Sequence, residues 1–469
     1  MVIERGHLVA AFRAECVAPL QAAVFAGGSI VIDAAAEVAL GRYEQQTELH
    51  LEASLGEMDA LWADTADLLL QTTLLADADA LTPAYLASVV HPILQCGRVL
   101  ARLDAAFHAS LPAPRDTAKW LPTLLLACSY FLCDDAPWHT PTAHAQAEAL
   151  LDAACAHVGW RRGLAPPSRD ELVVVHCKRV LSVVGTKCPK ETWVRAGCPA
   201  PFAFRYLVRQ LAFPALDHDV VGRTLALALP LLDQTIVSVQ RIGVDVLQHV
   251  VAEATPTDVR WHSDIVLHML YETLKIAMSD ASFLQATLRC LADTLAVTSV
   301  AHDITSYDRF FPTLLRSWDM TSDVSMKRVY VVGLRPWIVA MGAPHSVQIV
   351  QYLPSVLTVL LACLENKLLT LDALETLRLV VVHAWVRIPT HVDDVVLGLL
   401  RCLVFNTIQS HLEVSAGAPA DDVLANAVGV LRLLEALKKE PLAPLLATIG
   451  TACTELTAIC EQVQGAMAA

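Results

Sequence analysis

The amino-acid sequence predicts an all-α protein of the α-solenoid type, a superhelical stack of antiparallel helix pairs. Three observations predict this fold class. Apolar residues recur at intervals of three and four, the fraction of charged residues is low, and a leucine-proline motif returns at a near-constant distance. The first two features indicate buried helices, and the third indicates that the helices recur as a unit.

The chain has 469 residues, of which 55% are hydrophobic and 17% are charged. Because this length exceeds the size at which one hydrophobic core stops growing, it predicts either several globular domains or one elongated array. Composition favours the array, since each helix of a stack is covered by its neighbours on two or three sides. Leu284, Leu288, Leu291 and Leu295 illustrate the spacing, because they share one face of a helix.

The repeating unit is similar to a HEAT repeat, with Leu-Pro, or Phe-Pro at position 312, near the start of its first helix. Pro230, Pro312 and Pro354 lie 82 and 42 residues apart, so the first gap is two periods of about 41 residues. Two further units complete a set of five. One is a helix pair at 265–278 and 283–296, and the other begins with a helix at 395–403. We therefore predict a HEAT-like region at 169–469 and a divergent N-terminal helical region at 1–168.

Charge and hydropathy exclude several classes of function. The net charge is −14, whereas nucleic-acid binding needs an excess of lysine and arginine. The apolar runs at 120–133 and 336–364 are short or interrupted by proline, which disfavours a membrane span. We find no secretory signal and interpret the thirteen cysteines as reduced core residues, which predicts a protein of the cytoplasm or one shared between cytoplasm and nucleus.

Motifs for catalysis or cofactor binding do not occur in the sequence, which predicts a non-enzymatic protein without a cofactor. Asp217-His218-Asp219 is interpreted as a solvated turn. A metalloprotein or enzyme remains an alternative because cysteine and histidine residues gather in one region. Their spacings match no zinc template, so no metal ligand is assigned. The residues of this group are Cys128, Cys133, His139, His144 and His157.

Two segments combine tryptophan with arginine: Asp258-Val259-Arg260-Trp261 and His383-Ala384-Trp385-Val386-Arg387-Ile388-Pro389. One interpretation is an anchor for a protein partner, because Trp and Arg dominate binding hot spots. The other is a packing corner between repeats, with Trp buried and Arg bound to carbonyls at a helix end. The sequence favours the packing corner.

Residues 205–405 resemble the Tel-Two-interacting protein Two family. The resemblance is carried by Leu229-Pro230-Leu231-Leu232-Asp233, by Leu270-Tyr271-Glu272-Thr273-Leu274 and by the two segments with tryptophan and arginine, in this order. The motif residues form the set of candidate interface positions. They are Asp233, Arg260, Trp261, Tyr271, Trp385 and Arg387.

The resemblance implies a scaffold subunit of the TTT co-chaperone complex, with Tel-Two and Tel-Two-interacting protein One as partners. It further implies support for the maturation and stability of phosphatidylinositol-3-kinase-related kinases, together with the Hsp-ninety chaperone. It implies neither a catalytic residue nor a cofactor. A HEAT-repeat adaptor for nuclear transport or for a phosphatase remains the alternative. The high apolar fraction also predicts an exposed patch that a partner covers.

Overall fold

The computed structural model is α-helical, with short 3₁₀ and π segments, and its described residues contain no strand. The predicted all-α fold class is therefore confirmed. The structure describes residues 8–25, 34–45, 55–74, 78–108, 117–160, 168–188, 198–299, 306–343, 346–412 and 420–468.

The chain forms two compact units, Met1–His262 and Ser263–Ala469. The predicted boundary at 168/169 concerns repeat character rather than compactness, and it stays a prediction. The helices of the first unit are α1 Leu8–Phe12, α2 Ala18–Phe25, α3 Ala34–Gln45, α4 Leu55–Leu74, α5 Pro83–Tyr85, α6 His91–His108, α7 Leu121–Leu132, α8 Pro141–Trp160, α9 Arg169–Lys187, α10 Ala200–Arg209, α11 His218–Leu232, α12 Val237–Glu253 and α13 Pro256–Trp261.

The second unit continues the alternation of longer helices and short turns. Its helices are α14 Ser263–Ala277, α15 Ala281–Thr298, α16 Phe311–Met320, α17 Val324–Gly333, α18 Arg335–Gly342, α19 Val347–Cys363, α20 Thr370–His383, α21 Val392–Leu412, α22 Ala420–Lys438, α23 Ala443–Ala452 and α24 Thr457–Ala468.

Helix α7 is the centre of the first unit. All its residues are buried, and it packs against α4, α8, α9 and α10. Trp120, which precedes it, stacks on Trp62 of α4 with ring centroids 4.5 Å apart. The run at 120–133 is thus a core helix, as its length predicts. None of the helices in the described part of the chain combines the length and apolarity that crossing a membrane would require.

Each of the five predicted repeat units contains a pair of helices. The first compact unit contains one of these pairs, α11 with α12. The second compact unit contains the other four, which are α14–α15, α16–α17, α19–α20 and α21–α22. The first helices of the latter four begin at residues 263, 311, 347 and 392, which are 36 to 48 residues apart. The HEAT-like arrangement of helix pairs is therefore confirmed.

The predicted place of Leu-Pro at the start of each first helix is wrong for two of the three prolines. Pro312 does lie in the first turn of α16, where its missing N–H would have no partner in any case. Pro230 lies inside α11 close to its C-terminal end, and Pro354 lies inside α19. A proline inside a helix removes a backbone hydrogen bond. The two helices nevertheless form, because packing against neighbouring helices stabilises them.

Polar contacts join successive repeats within the second unit. The Arg335 guanidinium of α18 lies 2.7 Å from a carboxylate oxygen of Glu375 and 3.3 Å from one of Asp372, both on α20. The Asp308 carboxylate, before α16, accepts hydrogen bonds from Tyr352 Oη at 2.8 Å and Gln351 Nε2 at 2.7 Å. Such contacts set the position of one helix pair against the next, while leucines such as those of α15 fill the space between them.

Candidate functional site

Trp261 ends the short helix α13, and 75% of its surface is exposed. Its ring meets the edge of His218 at a centroid distance of 5.7 Å, and His218 in turn stacks on His262. His218 Nδ1 lies 3.3 Å from a carboxylate oxygen of Asp258. The indole is therefore supported by its neighbours on one side and presented to solvent on the other.

A groove of about 780 Å³ lies within the same unit. It is lined by residues of α9 and by the segment 210–217, including Val175, Phe213 and Asp217. Val175 is 69% exposed and Phe213 is 63% exposed. Asp217 lines the groove, and the next residue, His218, contacts Trp261. We call Val175, Phe213, His218 and Trp261 the aromatic surface.

Charged side chains border the aromatic surface. Lys178 Nζ lies 2.9 Å from a carboxylate oxygen of Asp217 and 3.3 Å from one of Asp219. Asp217 caps α11, where its carboxylate accepts the backbone N–H of residue 220 at 2.9 Å. This hydrogen bond and then the Lys178 ammonium hold the pKa of Asp217 below its usual value. The border is thus fixed by ion pairs around an apolar centre, a usual composition for a protein interface.

The packing-corner interpretation of the two tryptophans is wrong. It requires buried indoles, whereas Trp261 is 75% exposed and Trp385 is 51% exposed. Arg260 is also exposed, and its Nε donates to the carbonyl oxygen of Pro256 in its own helix. These tryptophans occur where helices end, so neighbouring helices do not cover them.

Trp385 and Arg387 lie in the turn between α20 and the 3₁₀ segment Ile388–His391. Both side chains are exposed, while Ile388 is fully buried and anchors the turn. The preceding His383 is held by Ser346, whose hydroxyl donates to the His383 carbonyl oxygen. Gly342 packs against the same residue, since a Cβ at position 342 would collide with the His383 Cβ. The turn is therefore fixed in place although its tip is exposed.

Asp233 and Tyr271 occupy different environments. Asp233 is the exposed C-terminal cap residue of α11. Tyr271 of α14 is half-buried against Phe310, with Lys275 Nζ 4.6 Å and Arg309 Cζ 5.3 Å from its ring centre. The six predicted interface residues thus divide between the two units, with Asp233, Arg260 and Trp261 in the first and the others in the second.

The structure separates the cysteines of the candidate metal group from its histidines. Cys128 and Cys133 are buried, and Cys133 Sγ donates to the carbonyl oxygens of Ser129 and Phe202. Burial raises the pKa of Cys133 to about 12, which disfavours the thiolate that a metal would need. His139 and His144 approach each other, and the side chain of His157 is outside the described residues.

Val175 and Phe213 were not identified from the sequence. Val175 lies in a valine run that reads as core, but it falls outside the buried stripe of Leu172, Val173 and Cys177 on α9. That departure from helical spacing is the signal that could have found it. Phe213 precedes Pro214 in a non-helical segment, where spacing gives no information on burial.

Comparison with curated proteins gives two similar sequences. TELO2-interacting protein 2 of Mus musculus is 23% identical over 350 residues, which are 69% of this chain and 64% of that protein. TELO2-interacting protein 2 of Rattus norvegicus is 24% identical over 365 residues, 73% of this chain and 68% of that protein. The chain thus spans about two thirds of the length of these relatives. No family model matches it. The resemblance to this family, inferred from the motifs, is confirmed.

Solved structures with a similar course of the chain include Kap121p and importin beta. Kap121p bound to RanGTP is 12% identical, with a TM-score of 0.46 over 92% of this chain and 43% of that one. Importin beta in an ammonium sulfate condition is 13% identical, with a TM-score of 0.44 over 92% of this chain and 54% of that one.

Proposed function

We propose that this chain is a non-enzymatic scaffold subunit of a TTT-type co-chaperone complex. The observation that carries the proposal is the similarity to TELO2-interacting protein 2 over 350 residues, which is 69% of this chain. The relatives are named for an interaction with a protein partner. In the proposed complex this chain binds Tel-Two, with Tel-Two-interacting protein One as a further subunit.

The aromatic surface is the proposed contact with the partner. Tryptophan and phenylalanine supply large contact areas and lose few rotamers on binding, so they are efficient anchors. Exposed apolar groups that are contiguous and bordered by charges are typical of docking sites in soluble proteins. Trp261 and Phe213 are both largely exposed, and they lie next to helix ends that ion pairs and caps hold in position.

The scaffold acts through its partners in this proposal. It supports the maturation and stability of phosphatidylinositol-3-kinase-related kinases together with the Hsp-ninety chaperone, in the cytoplasm and also in the nucleus. Because an uncovered apolar surface promotes association, we expect the chain to be poorly soluble when it is produced without its partner. Co-production with Tel-Two should raise the yield of soluble chain.

Affinity purification of the full chain from cells tests the proposal. We expect Tel-Two, Tel-Two-interacting protein One and kinases of this class to co-elute. Trp261→Ala should reduce the recovery of Tel-Two, whereas Met320→Ala, a change at a 77% exposed site outside the aromatic surface, should not. Subcellular fractionation of the same cells tests the two proposed compartments.

Two outcomes would contradict the proposed function. One is selective recovery of a nucleotide-loaded transport GTPase or of a phosphatase catalytic subunit in place of Tel-Two, which would favour the adaptor alternative. The other is depletion of the chain without a fall in the level of any kinase of this class, which would remove the maturation role even if Tel-Two were bound.

A further inference from the structure

The turn between α7 and α8 brings together three side chains that are distant from the aromatic surface in the sequence. They are Asp134, His139 and His144, each of which can supply one metal-ligating atom. These ligand atoms all lie within 4.8 Å of one another. His144 Nδ1 is 3.3 Å and His139 Nδ1 is 3.9 Å from Asp134 Oδ1.

The two imidazole nitrogens that face the carboxylate lack a hydrogen bond. His139 Nδ1 and His144 Nδ1 are both inaccessible to solvent, and neither has a hydrogen-bond partner in the described part of the structure. His144 Nδ1 lies within reach of the Asp134 carboxylate, but the two do not form a hydrogen bond. Leaving buried polar atoms unpaired is costly, so two of them directed at one carboxylate indicate a missing ligand.

The turn that carries Asp134 and His139 is held by the core. Trp138 Nε1 donates to the Tyr130 carbonyl oxygen at 2.8 Å, and Asp135 pairs with the buried guanidinium of Arg205. The backbone N–H of His139 donates to the Ala136 carbonyl oxygen at 3.0 Å. Asp134 and Asp135 lie in this turn, seven and six residues before α8 begins. A rigid support of this kind is what a metal site needs to keep its ligands in place.

A carboxylate stands behind one of the histidines. His144 Nε2 lies 3.5 Å from Glu148 Oε1, one helical turn further along α8. Glu148 is itself paired with Arg169, which also lies 3.0 Å from a carboxylate oxygen of Asp152. Metal-binding histidines usually donate their other ring N–H to a carboxylate, which fixes the tautomer and leaves the first nitrogen free for the metal. Glu148 is placed to take this role for His144.

We propose that Asp134, His139 and His144 bind a divalent transition-metal ion, zinc in the first place, through one carboxylate oxygen and two Nδ1 nitrogens. Two imidazoles with one carboxylate form a donor set that zinc accepts. In a tetrahedral site the ligand atoms lie about 3.3 Å apart, a value worked from Zn–N and Zn–O bonds of about 2.0–2.1 Å. The pair Asp134–His144 already has this spacing, and His139 has to move closer by about an ångström.

The proposed site keeps one coordination position for solvent. The side chain of Asp134 is 82% exposed, while those of His139 and His144 are about one quarter exposed. Three protein ligands leave a fourth position, which water occupies in the free protein. The ion would join the turn to the first turns of α8 and so add a constraint to the first unit. The proposal does not depend on the function proposed above.

Zinc binding to the purified full chain tests the proposal. The chain is stripped with a chelator, dialysed and titrated with zinc chloride in a calorimeter, and bound metal is counted by mass spectrometry. We expect one equivalent for the native chain and none for His139→Ala/His144→Ala. Glu148→Gln should weaken zinc binding by about 10- to 100-fold, the effect typical of a carboxylate behind a ligating histidine.

The controls separate this site from the other metal-binding groups of the chain. His391→Ala removes a histidine of similar exposure that lies 3.7 Å from a single carboxylate, and it should leave binding unchanged. The described cysteines are free thiols and could bind the metal in place of the histidines. Cobalt is therefore used as a probe, because its absorption spectrum shows whether a thiolate is a ligand. The proposed site gives weak visible bands without the intense thiolate-to-metal charge-transfer absorption.

Three results would overturn the proposal. They are undiminished zinc binding by the double variant, a thiolate charge-transfer band in the cobalt complex, and the absence of any bound zinc in the native chain. If the double variant does not fold, Asp134→Asn replaces it, since this exposed side chain contributes little to packing. Its melting temperature without metal should match that of the native chain, whereas zinc should raise only the native value.

Discussion

Trp261→Ala should weaken binding to Tel-Two strongly while leaving the fold intact. A buried aromatic side chain covers roughly 150–250 Å², so about three quarters of it, some 110–190 Å², is available for a partner to bury. At roughly 25 cal/mol per Å² this area corresponds to about 3–5 kcal/mol, at the upper range of measured hot spots. Some of the gain is lost in ordering the interface, so we expect a loss of about 2–4 kcal/mol, or roughly 30- to 700-fold in Kd.

The assay is calorimetric or interferometric titration of the purified chain with Tel-Two, in parallel with thermal unfolding. The free energy of unfolding should change by no more than about 0.5 kcal/mol, because a largely exposed side chain is removed. Met320→Ala provides the control, since its side chain is also mostly exposed but lies on a different helix of the second unit. An unchanged Kd for Trp261→Ala would refute the reasoning. A large fall in melting temperature would do so as well, because it would show that the indole supports the fold.

The remaining predictions concern stability and are measured by denaturant or acid unfolding. Gly342→Ala should destabilise the chain by about 1–3 kcal/mol because its Cβ would collide with His383, whereas Gly429→Ala, with open space around its Cβ, should be neutral or stabilising. Replacing the buried Arg205 by Met should cost about 1.5–3 kcal/mol, because two charge-assisted hydrogen bonds are lost. The pKa of Asp217 is lower in the folded state than in the unfolded state, where it is near 3.8. The ionised carboxylate therefore stabilises the fold above the unfolded pKa, and this contribution is lost as the pH falls through the folded pKa. The stability of the native chain should approach that of Asp217→Asn below about pH 4. Equal stability of the members of any of these pairs at pH 7 would contradict the corresponding prediction.

The sequence predicted the helices and their pairing well because both depend on spacing along the chain. Leu284, Leu288, Leu291 and Leu295 recur at helical intervals, and all four are fully buried. The role of Pro230 could not be predicted in the same way. A proline marks a helix start only if tertiary packing does not stabilise the helix around it, and α11 contains Pro230 in its last turn.

Helical spacing does not predict the exposure of side chains at helix ends. The sequence favours packing corners for Trp261 and Trp385 because helix ends inside a stack need closing contacts, yet both side chains are exposed where their helices end. At a helix end the periodic pattern stops, so the direction of the following side chain depends on the turn. The convergence of Asp134 with His139 and His144 has the same origin, because it results from the turn between α7 and α8.

The helix ends are also where a stacked helical protein has freedom to bind. Within each unit the sides of the helices form the core, so a mutation that improves binding there competes with packing against the neighbouring helix. A residue such as Trp261 meets no such constraint, since it is the last residue of α13 and neighbouring helices leave it exposed. The same freedom applies to Trp385 and to the turn that carries His139. Functional residues of this chain should therefore be sought where helical periodicity stops, with the buried stripes serving to hold those turns in position.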